Sequence, residues 1–137
     1  MRLRELALLG LLCAGACFAG SPAASAIRGK LTQQDGKPAL VMSDHQIARL
    51  DGDDPTRGIL NDKRLAGADL EAAGRFDSHF VFHVDPIHTK ALHVHKDGRR
   101  FTISYWCDTC SIRTYTPGIC WCCQQETELD LQLDGQE

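Results

Sequence analysis

Five cysteines lie between residues 104 and 125: Cys107, Cys110, Cys120, Cys122 and Cys123. Read as two pairs, Cys107-Asp-Thr-Cys110 and Cys120-Trp-Cys-Cys123, they form C-x2-C-x9-C-x2-C, with Cys122 to spare. In a C-x2-C turn two sulfurs point at one ion while backbone N–H groups turn toward them. Two such turns brought together supply the tetrahedral four-thiolate shell that zinc or iron prefers. Thr116-Pro117-Gly118 lies between the pairs and is a turn signal that can bring the second back to the first. Four cysteines close such a shell and leave no position for a substrate, so the chemistry expected is that of a staple rather than of an enzyme.

The stretch resembles a zinc ribbon, or the paired metal knuckles of rubredoxin-like domains. Tyr105-Trp106 before the first pair and the Pro-Gly turn before the second carry the likeness. Such knuckles usually place glycine after the second cysteine of a pair, where this chain has Ser111 and Gln124. The resemblance implies one ion, zinc with iron as the alternative, on Cys107, Cys110, Cys120 and Cys123. Two other states of these thiols stay open. An oxidising compartment favours disulfides, although five cysteines cannot all pair within one chain. A thiol-based metal-handling or redox protein would use the Cys-x-Cys-Cys cluster, with Cys122 or Cys123 as the reactive sulfur. Trp106 and Trp121 flank the pairs and are expected to shield the sulfurs.

A second cluster of candidate ligands is His79, His83, His88, His93 and His95. On a strand, His93 and His95 share the face opposite Leu92 and Val94, and His79 and His83 the face opposite Phe80 and Phe82. His83, His93 and His95 could ligate a second zinc or copper ion, but an exposed polar face of a half-buried sheet is the simpler expectation. Asp51, Asp53 and Asp54 lack the ligand pattern of a calcium hand and read as a solvated acidic turn. There is no G-x-S-x-G elbow, H-E-x-x-H pair or glycine-rich phosphate loop.

The chain starts with Arg2 and Arg4, an apolar run from Leu6 to Ala19 and Ala24-Ser25-Ala26. This order predicts a signal peptide over 1–26, cleaved after Ala26, and a secreted or periplasmic product. Lipid attachment at Cys17 is the less favoured alternative. No other stretch reads as a membrane span. Removing 1–26 leaves 111 of the 137 residues, enough for one small domain. Lys+Arg falls from 15 to 13 and Asp+Glu from 18 to 17, so the net charge moves from −3 to −4. An acidic balance argues against a nucleic-acid partner held mainly through its phosphates, and none is expected.

The elements that must position the cysteines read as strands and turns. Alternation over Ile27–Thr32 runs into the hairpin signal Gln34-Asp35-Gly36-Lys37, then short strands at Ala39–Met42 and His45–Leu50. Pro55–Leu65 is the one helical stretch expected, followed by a strand at Asp69–Phe76. Further strands are expected around Phe80–Val84 and Leu92–Val94, and after the turn Lys96-Asp97-Gly98-Arg99 a last one through Phe101, Ile103 and Tyr105. The run from Leu60 to Gly67, with Glu71 and Gly74, resembles small secreted bacterial OB-type domains. The fold expected is mainly β: a small OB-like barrel over 27–103, a C-terminal β-ribbon carrying the four-cysteine metal knuckle over 104–125, and an acidic tail over 126–137 that frays.

Overall fold

The structure is a computed structural model that describes residues 24–135. The expected signal peptide therefore lies outside the described residues up to residue 23, as does Cys17. Among the described residues, nine strands and a few helical turns make the fold mainly β. Strands β1 (Ser25–Gln34), β2 (Lys37–Met42) and β3 (Ile47–Asp51) follow one another antiparallel. The turn between β1 and β2 puts both Asp35 and Gly36 at positive φ, 51° and 72°. This is the two-residue hairpin that Asp-Gly favours because its twist matches that of the strands. Asp97-Gly98 repeats the device, at 52° and 71°, between β6 (Leu92–Lys96) and β7 (Arg99–Cys107).

Helix α1 (Asp54–Leu60) starts where Asp53 accepts the Thr56 N–H at 3.0 Å and Pro55 pre-sets the first turn. The expected helix over Pro55–Leu65 is broken in two. Asn61 closes α1, and Asp62 accepts the Arg64 N–H to cap a separate 3-10 turn, Lys63–Leu65. A further short helix, α2 (His88–Ala91), corrects the expectation of a single helical stretch.

Strand β4 (Asp69–Phe76) pairs with β1, with β5 (Val81–Val84) and with β6. Because β5 also lies parallel to β3, the pairings β1–β2–β3–β5–β4 return to β1. Gly74 sits at the junction, opposite Ser25 on one side and Val84 on the other. A Cβ there would collide with the His83 carbonyl oxygen, so the close approach of β4 and β5 requires glycine. Leu31, Leu40, Leu50, Leu70 and Phe82 fill the space inside, with Ile59 and Leu60 of α1 against them.

Strand β7 leaves this group and runs without interruption through residues 103 and 104 to Cys107. Its early residues pair with β6 and its last three with β8 (Ile112–Thr114) along one edge. The other edge is taken by β9 (Glu128–Leu133), paired from Phe101↔Leu133 to Trp106↔Glu128. The acidic stretch after Gln125 is thus not a frayed end. Leu129 and Leu131 alternate with Asp130 and Gln132, and both leucines pack on the core. Charge hid a period-2 pattern that half-buries a strand.

Candidate metal centre

Strand β7 delivers Cys107 to the end of the sheet, and the chain turns through Asp108 and Thr109 to Cys110 before β8 runs back. The second turn stands on a narrow hairpin. Ile119 bridges to Glu126, and Gly118 O accepts both the Thr127 N–H at 3.0 Å and its hydroxyl at 2.8 Å. Within that hairpin Cys120 N–H donates to Gln125 O at 2.7 Å and Gln124 N–H to Cys120 O at 2.8 Å. Thr109 Oγ1 donates to Gln125 Oε1 at 2.9 Å and joins one turn to the other.

The sulfurs of Cys107, Cys110, Cys120 and Cys123 lie within 4.8 Å of one another, and Cys107 and Cys123 approach to 3.5 Å. A zinc–sulfur bond of about 2.3 Å implies tetrahedral sulfur–sulfur edges of about 3.8 Å. The quartet therefore fits such an ion with small adjustments. All five cysteines are free thiols here. Cys107 and Cys120 are buried, Cys110 and Cys123 half-buried and Cys122 exposed. Among the described residues, no other group of potential ligands converges in this way.

The two turns share one internal construction. The N–H groups of Cys123 and Cys122 donate to the Cys120 sulfur and hold its thiol down at about 7. Those of Cys110 and Thr109 donate to Cys107, but burial and the thiols of Cys123 and Cys120 leave it above its ordinary value. Cys110 is pushed up by the Cys122 thiol, then by burial and the thiols of Cys123 and Cys120. Burial and the neighbouring thiols thus oppose the thiolate forms of Cys107 and Cys110. A bound dication reverses that preference, because it attracts every sulfur in its charged form. The backbone of Cys122 serves the second turn as Thr109 serves the first, while its exposed side chain keeps its thiol against that of Cys110.

Each turn closes with a left-handed residue, Ser111 at φ 52° and Gln124 at φ 61°. Both positions follow the second cysteine of a pair, and both hold a left-handed backbone without the glycine that favours it. Trp121 does not shield the sulfurs, being 75% exposed. Trp106 is half-buried and lies under the Arg113 guanidinium, 5.0 Å from the ring centre. Arg113 also donates to Ser104 Oγ and Asp130 Oδ2, fastening β8 to β7 and β9 below the cysteines.

The residues that seat this end on the core gave little sign of that role in sequence. Tyr105, fully buried, donates its hydroxyl to Asp62 Oδ2 at 2.9 Å. Arg64 pairs with Asp62 at 2.9 Å, lies over the Tyr105 ring and donates to Thr127 O at 2.7 Å. Burial resists ionisation of Asp62, but the side chain and N–H of Arg64 and the Tyr105 hydroxyl outweigh it and lower its pKa. Burial, then the Asp62 carboxylate, raises the phenol of Tyr105 well above its usual range.

The histidines do not form a second centre. His93 is buried at 4% exposure, which corrects its placement on a solvent face. The Nη2 of Arg100 lies 3.0 Å from its Nδ1. Burial, then the Arg100 cation, lowers the pKa of His93. His95 and His83 have carboxylate partners that their spacing in sequence did not indicate, Glu71 Oε2 at 2.7 Å and Asp77 Oδ2 at 2.8 Å. His79 and Phe80 lie in the turn before β5 rather than in a strand. The acidic run has structural duties, since Asp53 caps α1 while Asp51 and Asp54 accept from Arg57.

Fold and site together define a mainly β chain whose C-terminal part gathers four cysteines at metal-binding distance. No helix among the described residues is long and apolar enough to cross a membrane. No protein-family model, curated protein or solved structure matches the chain.

Proposed function

We propose that this chain is a secreted or periplasmic metal-binding protein in which Cys107, Cys110, Cys120 and Cys123 hold one structural ion. The convergence of four sulfurs within 4.8 Å carries the reading. Zinc is the ion that suits it best, since a closed tetrahedral thiolate shell matches its preferences, and iron is the alternative. The role is that of a staple rather than of an enzyme, because four protein ligands leave no open coordination position. The ion would lock the turn after β7 to the hairpin before β9, two segments with little apolar packing of their own. Cleavage after Ala26 would still leave β1 paired with β4 from Ile27↔Ala72 onward. The closed circuit of five pairings supports an OB-like barrel as the carrier, although such a scaffold does not assign a function.

The experiment is metal analysis of protein isolated from its native compartment, together with a count of reactive thiols. The reading expects one metal equivalent per chain and one accessible thiol, Cys122. Protein without metal that unfolds on reduction would establish a disulfide staple instead. A second reading, a protein that hands metal on, is favoured by the exposed Cys122 thiol close enough to Cys110 to perturb it. Release of the ion to a chelator that slows sharply in Cys122→Ser would support that reading.

A further inference from the structure

Strands β2, β3 and β5 turn one face toward α1 and enclose a cleft of about 440 Å³, away from the cysteines. Its charged lining is Lys37, Arg49, Arg57 and His83 against Asp51 and Asp77. Register explains the grouping. Arg49 lies opposite Val81 and Asp51 opposite His83, and residues two apart on a strand share a face.

Both carboxylates are already committed. Asp51 accepts from Arg57 Nε at 2.9 Å and from Gly52 N–H at 2.8 Å. Asp77 accepts from His83, His79 N–H and Val81 N–H. The His83 contact first, then the Val81 N–H, holds its carboxyl down at about 2. Arg49 and Lys37 have no such partner among the described residues. The strand neighbours of Arg49 are Ala39 and Val81, and Lys37 faces Gln34. Lys37 and Arg49 are thus two cations without an ion-pair partner, in a lining where three cations, Lys37, Arg49 and Arg57, face two carboxylates, Asp51 and Asp77, on a chain whose formal charge is −3. Because the Nε2–H of the neutral His83 ring donates to Asp77, its Nδ1 is an acceptor, suited to a ligand hydroxyl and not to an anionic oxygen. Pro38 and Val81 supply apolar wall beside these groups.

We infer that this cleft binds a small organic dianion, with Arg49 and Lys37 as its counter-charges and Pro38 and Val81 against its carbon skeleton. Two free cations match a doubly charged group, and the volume lies in the range of small-molecule sites, about 300–1,000 Å³, well beyond a bare ion. Phosphomonoesters and dicarboxylates share this chemistry. Arg49 is suited to a forked contact with either, and Lys37 to a point charge.

The test is calorimetric titration of the metal-loaded protein at low ionic strength with inorganic phosphate, glycerol phosphate and succinate, followed by NMR of the Gly36, Arg49 and His83 amides. We expect saturable one-to-one binding of glycerol phosphate or succinate, tighter than that of inorganic phosphate, with shifts centred on those amides. The double variant K37Q/R49Q should weaken it by about tenfold or more, with melting temperature and metal content unchanged. Preference for glycerol phosphate over succinate identifies the ligand class as phosphomonoesters, and the reverse order as dicarboxylates. No saturable binding by any probe overturns the inference, as does affinity that K37Q/R49Q leaves intact.

Discussion

Tyr105 donates its hydroxyl to Asp62 at 2.9 Å, across forty-three positions of sequence and two residues before the first cysteine of the quartet. The bond joins β7 to the 3-10 turn after α1, and Arg64 extends the link to Thr127 at the foot of the second cysteine turn. The cysteine-bearing end is thereby seated on the core through one buried polar node. Such a node stabilises when every member is satisfied and costs dearly when one is lost.

Tyr105→Phe keeps the ring and removes the donor. Asp62 then loses a partner in a setting that resists its charge, and stability should fall by about 1–3 kcal/mol. Metal content should be unchanged, because the sulfurs hold the ion independently of the phenol. Denaturant unfolding with metal analysis checks both, and an unaltered midpoint would show that the node does not seat the cysteine-bearing end.

Replacing any one of Cys107, Cys110, Cys120 or Cys123 by Ser should release the ion and loosen the region after Ser104. A structural four-cysteine site contributes on the order of 10 kcal/mol, which the small packing surface there cannot replace. Cys122→Ser should retain the ion and lose one titratable thiol. Loss of metal in Cys122→Ser with retention in Cys123→Ser would show that the ligand set is wrong.

Gln124 and Ser111 hold left-handed backbone, which costs a side-chain-bearing residue roughly 1 kcal/mol that glycine does not incur. Gln124→Gly and Ser111→Gly should each raise stability by several tenths of a kcal/mol up to about 1, with metal stoichiometry intact. Melting curves of the two variants decide the matter, and a fall in both would contradict the knuckle backbone.

His93 gives stability a dependence on pH. Its pKa in the fold lies below the unfolded value of about 6.5, so the unfolded chain takes up the proton first. The contribution of the neutral ring is complete above that value and is lost as pH falls through and below it. Asp77, held near 2, acts lower: its contribution is present above about 4 and disappears as pH falls toward 2. His93→Gln should flatten the upper limb between about pH 7 and 5 and leave the acid limb in place. Metal content should be the same in His83, His93 and His95 variants, whereas stability should drop only where burial makes the ring part of the packing.

Much of the β pattern was legible in sequence because its signals are local. The Asp-Gly hairpins at 35–36 and 97–98 need positive φ at both positions, and few other residue pairs supply it. Period-2 alternation placed β1, β4 and β7 within a few residues. The start of helix α1 was legible at Pro55, whereas the cap that Asp53 supplies was read only as part of an acidic turn. The break at Asn61-Asp62 was not legible, because Asp62 serves as a cap only when Arg64 and Tyr105 stand where the fold puts them. Strand β9 was obscured by its acidic residues, which alternate with leucines that need β7 beside them to be buried.

The cysteine spacing by itself determined that two turns could each present two sulfurs, since a C-x2-C turn is set by bond geometry over four residues. Only the tertiary structure decided that the two turns meet, because closure across the linker depends on β7 and β9 pairing over six residues and on Arg64 reaching Thr127. It likewise decided the fate of the histidines. Strand period alone would put them on one polar face. Burial of His93 and the carboxylates opposite His83 and His95 follow from which strands lie beside them, and pairing between distant strands is not written in any local run of residues.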